Sequence, residues 1–215
     1  MKVLVVGANG QIGKQVVEKI QKEGKHTAKA VVRKEEQLSQ FQDLGAETAL
    51  VDLEGSIDDI AEAAKGTDAV IFAAGSGGHT GADKTILIDL DGAIKTVEAA
   101  KQAGVKRFLM VSAIGVHRRE NWSSEIQHYS AAKHYADVWL ENSGLDYTIV
   151  RPGGLTNDEG TGKVVAGKDL DRGYIPREDV ANTLVAALDE ESVINKGFDL
   201  VSGERSAVEE ALKEA

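Results

Sequence analysis

A tyrosine, a lysine and a serine could together carry acid/base chemistry in this chain. Tyr129 and Lys133 are four residues apart in a helical stretch, so the phenol and the ammonium group lie on one helix face. Because a neighbouring cation lowers the pKa of a phenol, this spacing predicts a tyrosine that exchanges protons near neutral pH. Ser112, which follows a predicted buried strand, is a candidate partner. The alternative is an accidental Tyr-x-x-x-Lys pair on an ordinary helix.

A second constellation, near the N-terminus, could bind a diphosphate. Gly7, Gly10 and Gly13 follow a β-branched run at residues 3–6 and open a helical pattern. In such a unit the first glycine permits a tight turn, the second lets phosphates approach the backbone, and the third permits close helix packing. The helix N-terminus adds free N–H groups and a positive dipole end. A second strand at 27–32 favours a nucleotide site over an ordinary strand-to-helix turn.

The end of the second strand indicates which dinucleotide is bound. Folds that bind NAD have an Asp or Glu at this strand end, about 20 residues after the glycines. Its carboxylate accepts a hydrogen bond from the ribose 2′-hydroxyl. In this chain Arg33 takes that place, and a guanidinium matches a 2′-phosphate. The sequence therefore favours NADP over NAD. The alternative is that Arg33 and Lys34 are solvated cations balanced by Glu35 and Glu36.

Further cofactor contacts are predicted at the carboxyl ends of later strands. Asp52 follows the third strand, where a carboxylate can meet an adenine amino group or cap the next turn. Small residues after the fourth strand, and Pro152 with Gly153 after the sixth, would admit ribose, phosphates and a flat nicotinamide ring. The predicted cofactor-binding residues are Gly7, Asn9, Gly10, Gln11, Ile12, Arg33, Asp52, Leu53, Ala73, Ala74, Gly75, Lys133, Pro152 and Gly153.

These residues require a frame in which strands and helices alternate. The hydrophobic periodicity predicts an α/β fold, a doubly wound and mostly parallel Rossmann sheet with helices on both faces. It includes a long helix at 84–103 and a final strand at 197–201. We expect one domain over residues 1–215, with small insertions on the substrate side near 113–124 and 155–175.

The long helix and two loops carry additional polar candidates. The helix has an apolar stripe, starting at Ile86 and Leu87, that is predicted to be core. Asp89 and Asp91 interrupt it, and because such residues are unfavourable in mid-helix, we expect one to face the active-site crevice. A glycine-rich loop carries His79, a proton donor or simply a solvated histidine. The loop at 113–124 contains several residues that suit a lid, an anionic substrate or a solvated loop: His117, Arg118, Arg119 and Trp122.

Composition limits the classes of partner. The 215 residues include no cysteine, which excludes disulfides, thiol catalysis and zinc–thiolate sites, and no metal site is predicted. A formal net charge of −10 disfavours nucleic acid and anionic membranes as main partners. There is no apolar run of membrane-spanning length and no signal-peptide core. We expect a soluble, cytoplasmic protein with a small-molecule substrate; the sequence does not predict the oligomeric state.

With these residues identified, the chain resembles the short-chain dehydrogenase/reductase superfamily. It is most similar to the atypical branch of NAD(P)-binding, epimerase-like proteins, which is related to NmrA-like proteins and to biliverdin/flavin reductases. The resemblance extends over essentially the whole chain, and the Gly-x-x-Gly-x-x-Gly spacing is similar to that of extended and atypical members. The motifs that carry it are 7–13, Asp52-Leu53, 89–92, Ser112, Tyr129 with Lys133, 151–153 and 176–181.

The resemblance implies roles for individual residues. Tyr129 would be the general acid/base, Lys133 would bind the nicotinamide ribose and lower the phenol pKa, and Ser112 would hold the substrate oxygen. The superfamily's active-site Asn falls on Asp89, a departure that leaves its proton-relay role open. The short C-terminus argues against a full sugar-nucleotide pocket. We therefore expect an NADP-dependent oxidoreductase or epimerase-like enzyme acting on a small carbonyl or alcohol. The alternatives are a noncatalytic NAD(P)-binding redox sensor and a flavin- or biliverdin-type reductase.

Overall fold

The apolar first strand, β1 (Lys2–Val6), lies inside the main sheet. In the computed structural model, which describes residues 1–215 and the side chains of residues 1–204 and 207–215, its residues from Val3 to Val6 are fully buried. Two parallel strands flank it, β2 (Thr27–Val32) on one side and β4 (Ala69–Phe72) on the other. A continuous apolar run is typical of a strand that is covered on both faces.

The main sheet has eight strands in a doubly wound order. The remaining strands are β3 (Glu47–Leu50), β5 (Arg107–Val111), β6 (Asp146–Pro152), β7 (Gly154–Thr156), β8 (Lys163–Gly167), β9 (Tyr174–Pro176) and β10 (Lys196–Ala207). The order is β3-β2-β1-β4-β5-β6-β10-β8, in which only β8 is antiparallel to its neighbour; β7 and β9 form a separate parallel pair. The strand order reverses between β1 and β4, where folds of this type bind ligands. The predicted fold class is confirmed.

Helices cover both faces of the sheet. They are α1 (Gln11–Glu23), α2 (Leu38–Gln42), α3 (Ile57–Ala64), α4 (Ala82–Lys84), a π-helix (Thr85–Gly92), α5 (Ala93–Gln102), α6 (Gln127–Glu141), α7 (Arg177–Ala187) and α8 (Val208–Glu214). Buried side chains of α1, α7 and α8 pack on one face, and those of α3, α5 and α6 pack on the other. Within the described part of the chain, no helix combines the length and the apolar character needed to cross a bilayer.

Three elements differ from their predicted form. The helix expected at 84–103 contains the π-helix, and Ile86 and Leu87 of its predicted core stripe are exposed. The final strand begins one residue earlier than expected and continues to Ala207. Part of the expected insertion at 155–175 forms β8, because Val164 is buried and the strand pairs with β10. That segment is therefore in part an edge of the main sheet.

Candidate functional site

Glycines 7 and 13 are required by close backbone contacts at the turn after β1. Gly7 has a φ of +84°, and a Cβ built on it would lie 2.5 Å from the backbone N of Ala74, in the segment that follows β4. A Cβ on Gly13 would lie 2.2 Å from the carbonyl oxygen of Gly7. Both distances are far below van der Waals contact, so only glycine fits at either position. The predicted tight turn and close helix approach are confirmed.

The N-terminus of α1 opens beside this turn. Gly10 is the N-cap, no side chain caps the helix, and the first turn has no acidic residue. The amide of Lys14 donates to the carbonyl of Gly10 at 2.9 Å, which begins the intrahelical ladder. Amides in the first turn precede that ladder, so they are available to an anion at the positive end of the helix. A Cβ on Gly10 would lie 3.2 Å from the nearest atom, so packing alone does not require glycine there.

A cleft of about 480 Å³, called the first cleft below, lies at the carboxyl ends of β1 to β4. The predicted cofactor residues that line it are Gly7, Asn9, Gly10, Arg33, Asp52, Leu53, Ala73, Ala74 and Gly75. His79, left open as a proton donor or a solvated residue, also lines it. The sequence reasoning missed Gln37, Ser76, Thr80, Lys84 and Ile88. Gln37 is four residues after Arg33 in sequence, which was the one signal available for it.

Five residues of the predicted cofactor set lie outside the first cleft. Ile12 is buried in the core beneath α1, and Gln11 is exposed beside a neighbouring surface depression. Pro152 and Gly153 line a second cleft. Lys133 lines neither cleft, because its side chain is buried beneath them.

Arg33 presents a free charge to the first cleft. It is exposed at the end of β2, and no carboxylate among the described side chains comes within 4.0 Å of it. Lys34 instead pairs with Glu36 at 3.4 Å. The side-chain oxygen of Gln37 accepts from the backbone amides of Arg33 and Lys34, at 3.2 and 3.1 Å, and fixes the loop. The alternative in which acidic neighbours balance both charges is therefore right for Lys34 and wrong for Arg33.

Asp52 closes a turn, which is one of the two roles that the sequence left open, and its contact with an adenine stays a prediction. Its carboxylate accepts from the amide of Glu54 at 2.9 Å, which closes the turn after β3, and the residue also lines the first cleft. The helix that follows is capped by Ser56, whose hydroxyl accepts from the amide of Asp59 at 3.1 Å. Asp52 is therefore not needed as a helix cap, and its turn position holds it at the cleft wall.

The second cleft, about 610 Å³, lies where β5 and β6 end and is closed by the segments 121–126 and 172–177. Ser112 and Tyr129 both line it, so the structure brings these predicted catalytic residues to one surface. Ser112 is 3% exposed, and its hydroxyl has no hydrogen-bond partner among the described residues. Since buried polar atoms are normally bonded, an unpaired hydroxyl at a cleft wall suits a ligand oxygen.

The environment of Tyr129 overturns one sequence prediction. Burial, followed by the charges of Asp89 and Asp137, raises the pKa of the phenol above its ordinary value. Lys133 is 3% exposed, and its ammonium donates to the carbonyl of Val111 at 2.7 Å. Burial lowers the pKa of Lys133, opposed by the same two carboxylates. The prediction of a lowered pKa for Tyr129 is therefore wrong in direction, because burial and two carboxylates raise it and Lys133 is not among the groups that oppose them.

Asp89 is the acidic residue that faces inward. It is 2% exposed, and its carboxylate accepts from the amide of Ser76 at 3.0 Å, next to the first cleft. Asp91 instead pairs with Lys95 at 3.1 Å on the outer surface. Asp89 lines neither cleft and reaches the first one only through its bond to Ser76, so the expectation that one of the two faces the active-site crevice stays a prediction. The π-helix places Asp89 there, and such wider turns occur frequently at functional sites.

The cations of the 113–124 loop are bound by the protein itself. His117 and Arg118 approach Asp169 at 2.9 and 3.4 Å, and Arg119 donates to the hydroxyl of Tyr135 at 2.8 Å. None of the three lines the second cleft, whereas Trp122 does. The suggestion that these cations meet an anionic substrate therefore has no support from the second cleft and stays a prediction. The arginines that do line this cleft come from a different segment: Arg172 was not singled out, and Arg177 was named only within the 176–181 motif.

Comparison with known proteins agrees with this geometry. Residues 7–191 match a family model described as NAD(P)H-binding. The chain is 57% identical over 213 residues to "Uncharacterized sugar epimerase YhfK" of Bacillus subtilis (strain 168), covering 99% of each chain. It is 39% identical over 214 residues to UPF0659 protein YMR090W of Saccharomyces cerevisiae, covering 94% of each. The crystal structure of the oxidoreductase ylbE from Lactococcus lactis superposes with a TM-score of 0.90 at 32% identity, covering 100% of this chain and 96% of that one.

Proposed function

The chain belongs to the family of NAD(P)H-binding proteins, and from this premise we propose that it is an NADPH-dependent reductase of a small carbonyl compound. The observation that carries the choice of cofactor is Arg33, a guanidinium without a carboxylate partner where NAD-binding folds place an acid. A nucleotide with a 2′-phosphate would neutralise that charge, whereas the bare ribose of NAD would not.

The residues present fit such a cofactor. The open amides at the start of α1, in the region of Gly10, Gln11 and Ile12, would bind the diphosphate. Asp52 and Leu53 would border the adenine, and Pro152 with Gly153 would border the nicotinamide. Both clefts lie at the carboxyl ends of neighbouring strands, the edge at which doubly wound sheets bind dinucleotides.

The chain's own residues would manage the proton and the substrate oxygen. The bound nicotinamide supplies a hydride to the carbonyl carbon. Tyr129 would donate its phenolic proton to the carbonyl oxygen, and the free hydroxyl of Ser112 would hold that oxygen in place. Because burial and two carboxylates raise the pKa of Tyr129, it stays protonated at neutral pH, which suits reduction. Lys133, fixed on the carbonyl of Val111, would position the strand end beside Ser112.

Selective stabilisation by cofactor tests the proposal. A ligand that binds only the folded state raises the melting temperature according to its affinity, so NADPH should stabilise the protein more than NADH. Arg33→Ala should weaken NADPH binding about tenfold, roughly 1.4 kcal/mol, and leave NADH binding unchanged. Lys34→Ala is the matched control, because Lys34 is the adjacent cation and does not line the cleft. Equal stabilisation by NADH, or equal losses in both variants, would contradict the assignment.

A second candidate is an epimerase, which the name of the B. subtilis relative favours. An epimerase would use the same tyrosine and serine but regenerate its cofactor in each cycle, so it would invert a carbinol centre without net NADPH consumption. Steady loss of NADPH absorbance with a carbonyl substrate supports the reductase. A redox-sensing protein differs from both, because it would bind cofactor and turn over nothing.

A further inference from the structure

Two arginines in the second cleft have no acidic partner. Arg177, the first residue of α7, donates to the side-chain oxygen of Asn157 at 2.7 Å, and Arg172 donates to the backbone carbonyl of Asn121. Neither has a carboxylate within 4.0 Å among the described side chains. Each guanidinium has five N–H donors, so these neutral contacts orient the two groups while leaving their charge and most of their donors free.

The acidic residues nearest to Arg177 in sequence are bonded elsewhere. Glu178 accepts from the amide of Gly160 at 2.7 Å. Asp179 is fully buried and accepts from the amides of Thr161 and Gly162, at 2.9 and 2.8 Å. Among the described residues that line the second cleft there is no carboxylate, so Arg172 and Arg177 are its only charged groups. The two guanidinium groups are therefore available to bind an anion there.

The small β7–β9 sheet fixes this arginine segment at the cleft. A Cβ on Gly153 would lie 2.3 Å from the carbonyl oxygen of Gly173, and one on Gly154 would lie 2.7 Å from the ring of Tyr174. The two segments are thus in direct contact, and the backbone contact at Gly153 leaves no room for a side chain there. Arg172 and Arg177, on either side of β9, consequently line the same cleft as Pro152.

The same cleft has an uncovered apolar wall. Ile126, Leu155 and Tyr174 line it and are 49%, 37% and 74% exposed. Trp122 lies in the same wall, held by a hydrogen bond from its indole N–H to the carbonyl of Val116 at 2.9 Å. Exposed apolar groups that surround convergent polar groups in a concavity are characteristic of a small-molecule site.

We propose that the second cleft selects an amphipathic anionic carbonyl compound. Its apolar body would cover the wall formed by Ile126, Leu155 and Tyr174, and a carboxylate or phosphate would bind Arg172 and Arg177. The reacting oxygen would meet Ser112 and Tyr129. The turnover test of this assignment rests on the reductase activity proposed above. The affinity of the cleft for such anions can be measured without turnover.

Three aromatic aldehydes of similar shape test the charge requirement: 4-carboxybenzaldehyde, 4-formylphenyl phosphate and the neutral methyl 4-formylbenzoate. With NADPH, kcat/KM should be at least about tenfold higher for an anionic aldehyde than for the ester, since charge-assisted contacts to arginine are strong. Arg177→Gln and Arg172→Gln should each remove most of that preference, because kcat/KM should fall much further for the anionic aldehydes than for the ester. Arg177→Lys should retain part of it. Arg118→Gln is the control, because it removes a nearby charge that does not line the cleft.

A binding experiment separates failure of this assignment from failure of the reductase proposal. With NADP⁺ present, titration of each aldehyde against tryptophan fluorescence reports affinity without chemistry. The assignment is supported if an anionic aldehyde binds more tightly than the ester and both arginine variants abolish that difference, even when no aldehyde is reduced. Whichever anionic aldehyde binds more tightly identifies the ligand group as a carboxylate or a phosphate. Equal affinity for the neutral ester, or a preference that survives in the arginine variants, overturns it. Loss of NADPH stabilisation in the arginine variants would also overturn it, because the effect would then be structural.

Discussion

Replacing Gly10 by alanine should separate phosphate binding from folding at the turn after β1. The new methyl would lie 3.2 Å from the carbonyl oxygen of Gly7 and 3.9 Å from that of Ala73. The backbone at residue 10, with φ of −73° and ψ of 161°, is favourable for alanine. A shift of a few tenths of an ångström relieves the contact, so we expect the unfolding free energy to change by less than about 1 kcal/mol. The methyl nevertheless occupies the surface that a diphosphate would approach. NADPH affinity should therefore fall at least about tenfold, roughly 1.4 kcal/mol.

Two other glycines calibrate this experiment. Gly24→Ala places a methyl where nothing lies within 4 Å, at a φ of +68°, so it should cost about 1 kcal/mol of stability without changing cofactor affinity. Gly13→Ala would put its methyl 2.2 Å from the carbonyl oxygen of Gly7 and should cost about 3 kcal/mol. Calorimetric titration with NADPH gives the affinities, and urea unfolding without cofactor gives the stabilities. The reasoning is refuted if Gly10→Ala binds NADPH as tightly as the wild type, or if its affinity loss matches that of Gly24→Ala.

Four further outcomes follow from the site and its surroundings. Tyr129→Phe should lower kcat at least about a hundredfold while NADPH stabilisation is unchanged, because only the transferred proton is removed; unchanged turnover would exclude the tyrosine as acid. Because the pKa of Tyr129 is raised, its proton is lost only above the ordinary value, so the reduction rate should show no tyrosine-dependent decline from about pH 7 to about pH 9.5, measured against the phenylalanine variant. Asp137→Ala should cost about 3 kcal/mol in urea unfolding, since it leaves Arg151, 2.8 Å from that carboxylate, buried without its main partner. Glu23→Gln, in the exposed pair with Lys19, should cost less than about 0.5 kcal/mol.

Local patterns were sufficient for most of the fold and the first cleft. The buried run of β1, the glycines after it and the cation after β2 are adjacent in sequence, and each has a direct geometric consequence. The π-helix was not predictable in this way. Its apolar residues repeat at ordinary helical spacing, yet the wider turn leaves Ile86 and Leu87 exposed and turns Asp89 inward. Periodicity does not distinguish the two kinds of helix over a few residues.

The second cleft was only half predictable, because it depends on contacts between distant segments. Ser112 and Tyr129 were identified from a strand end and a helical spacing. Arg172 and Arg177 reach the cleft only because β9 pairs with β7, a contact that no local signal announces. The role of His117 and Arg118 stayed open for the same reason, since their partner Asp169 lies in another loop. A charged residue indicates a ligand site only when it is known whether another residue of the protein pairs with it.

The Tyr129–Lys133 pair shows how packing can reverse the consequence of a helical spacing. Within one turn of the phenol on α6, the lysine is the one charged residue, and a cation favours the phenolate. In the fold, the π-helix brings Asp89 towards the phenol, α6 itself contributes Asp137, and the lysine proton is directed to the carbonyl of Val111. Burial and the two carboxylates then favour the neutral phenol. In the reductase proposed above, the neutral phenol is the form that would give a proton to the oxygen as hydride arrives, whereas oxidation of an alcohol would need the phenolate that these surroundings disfavour.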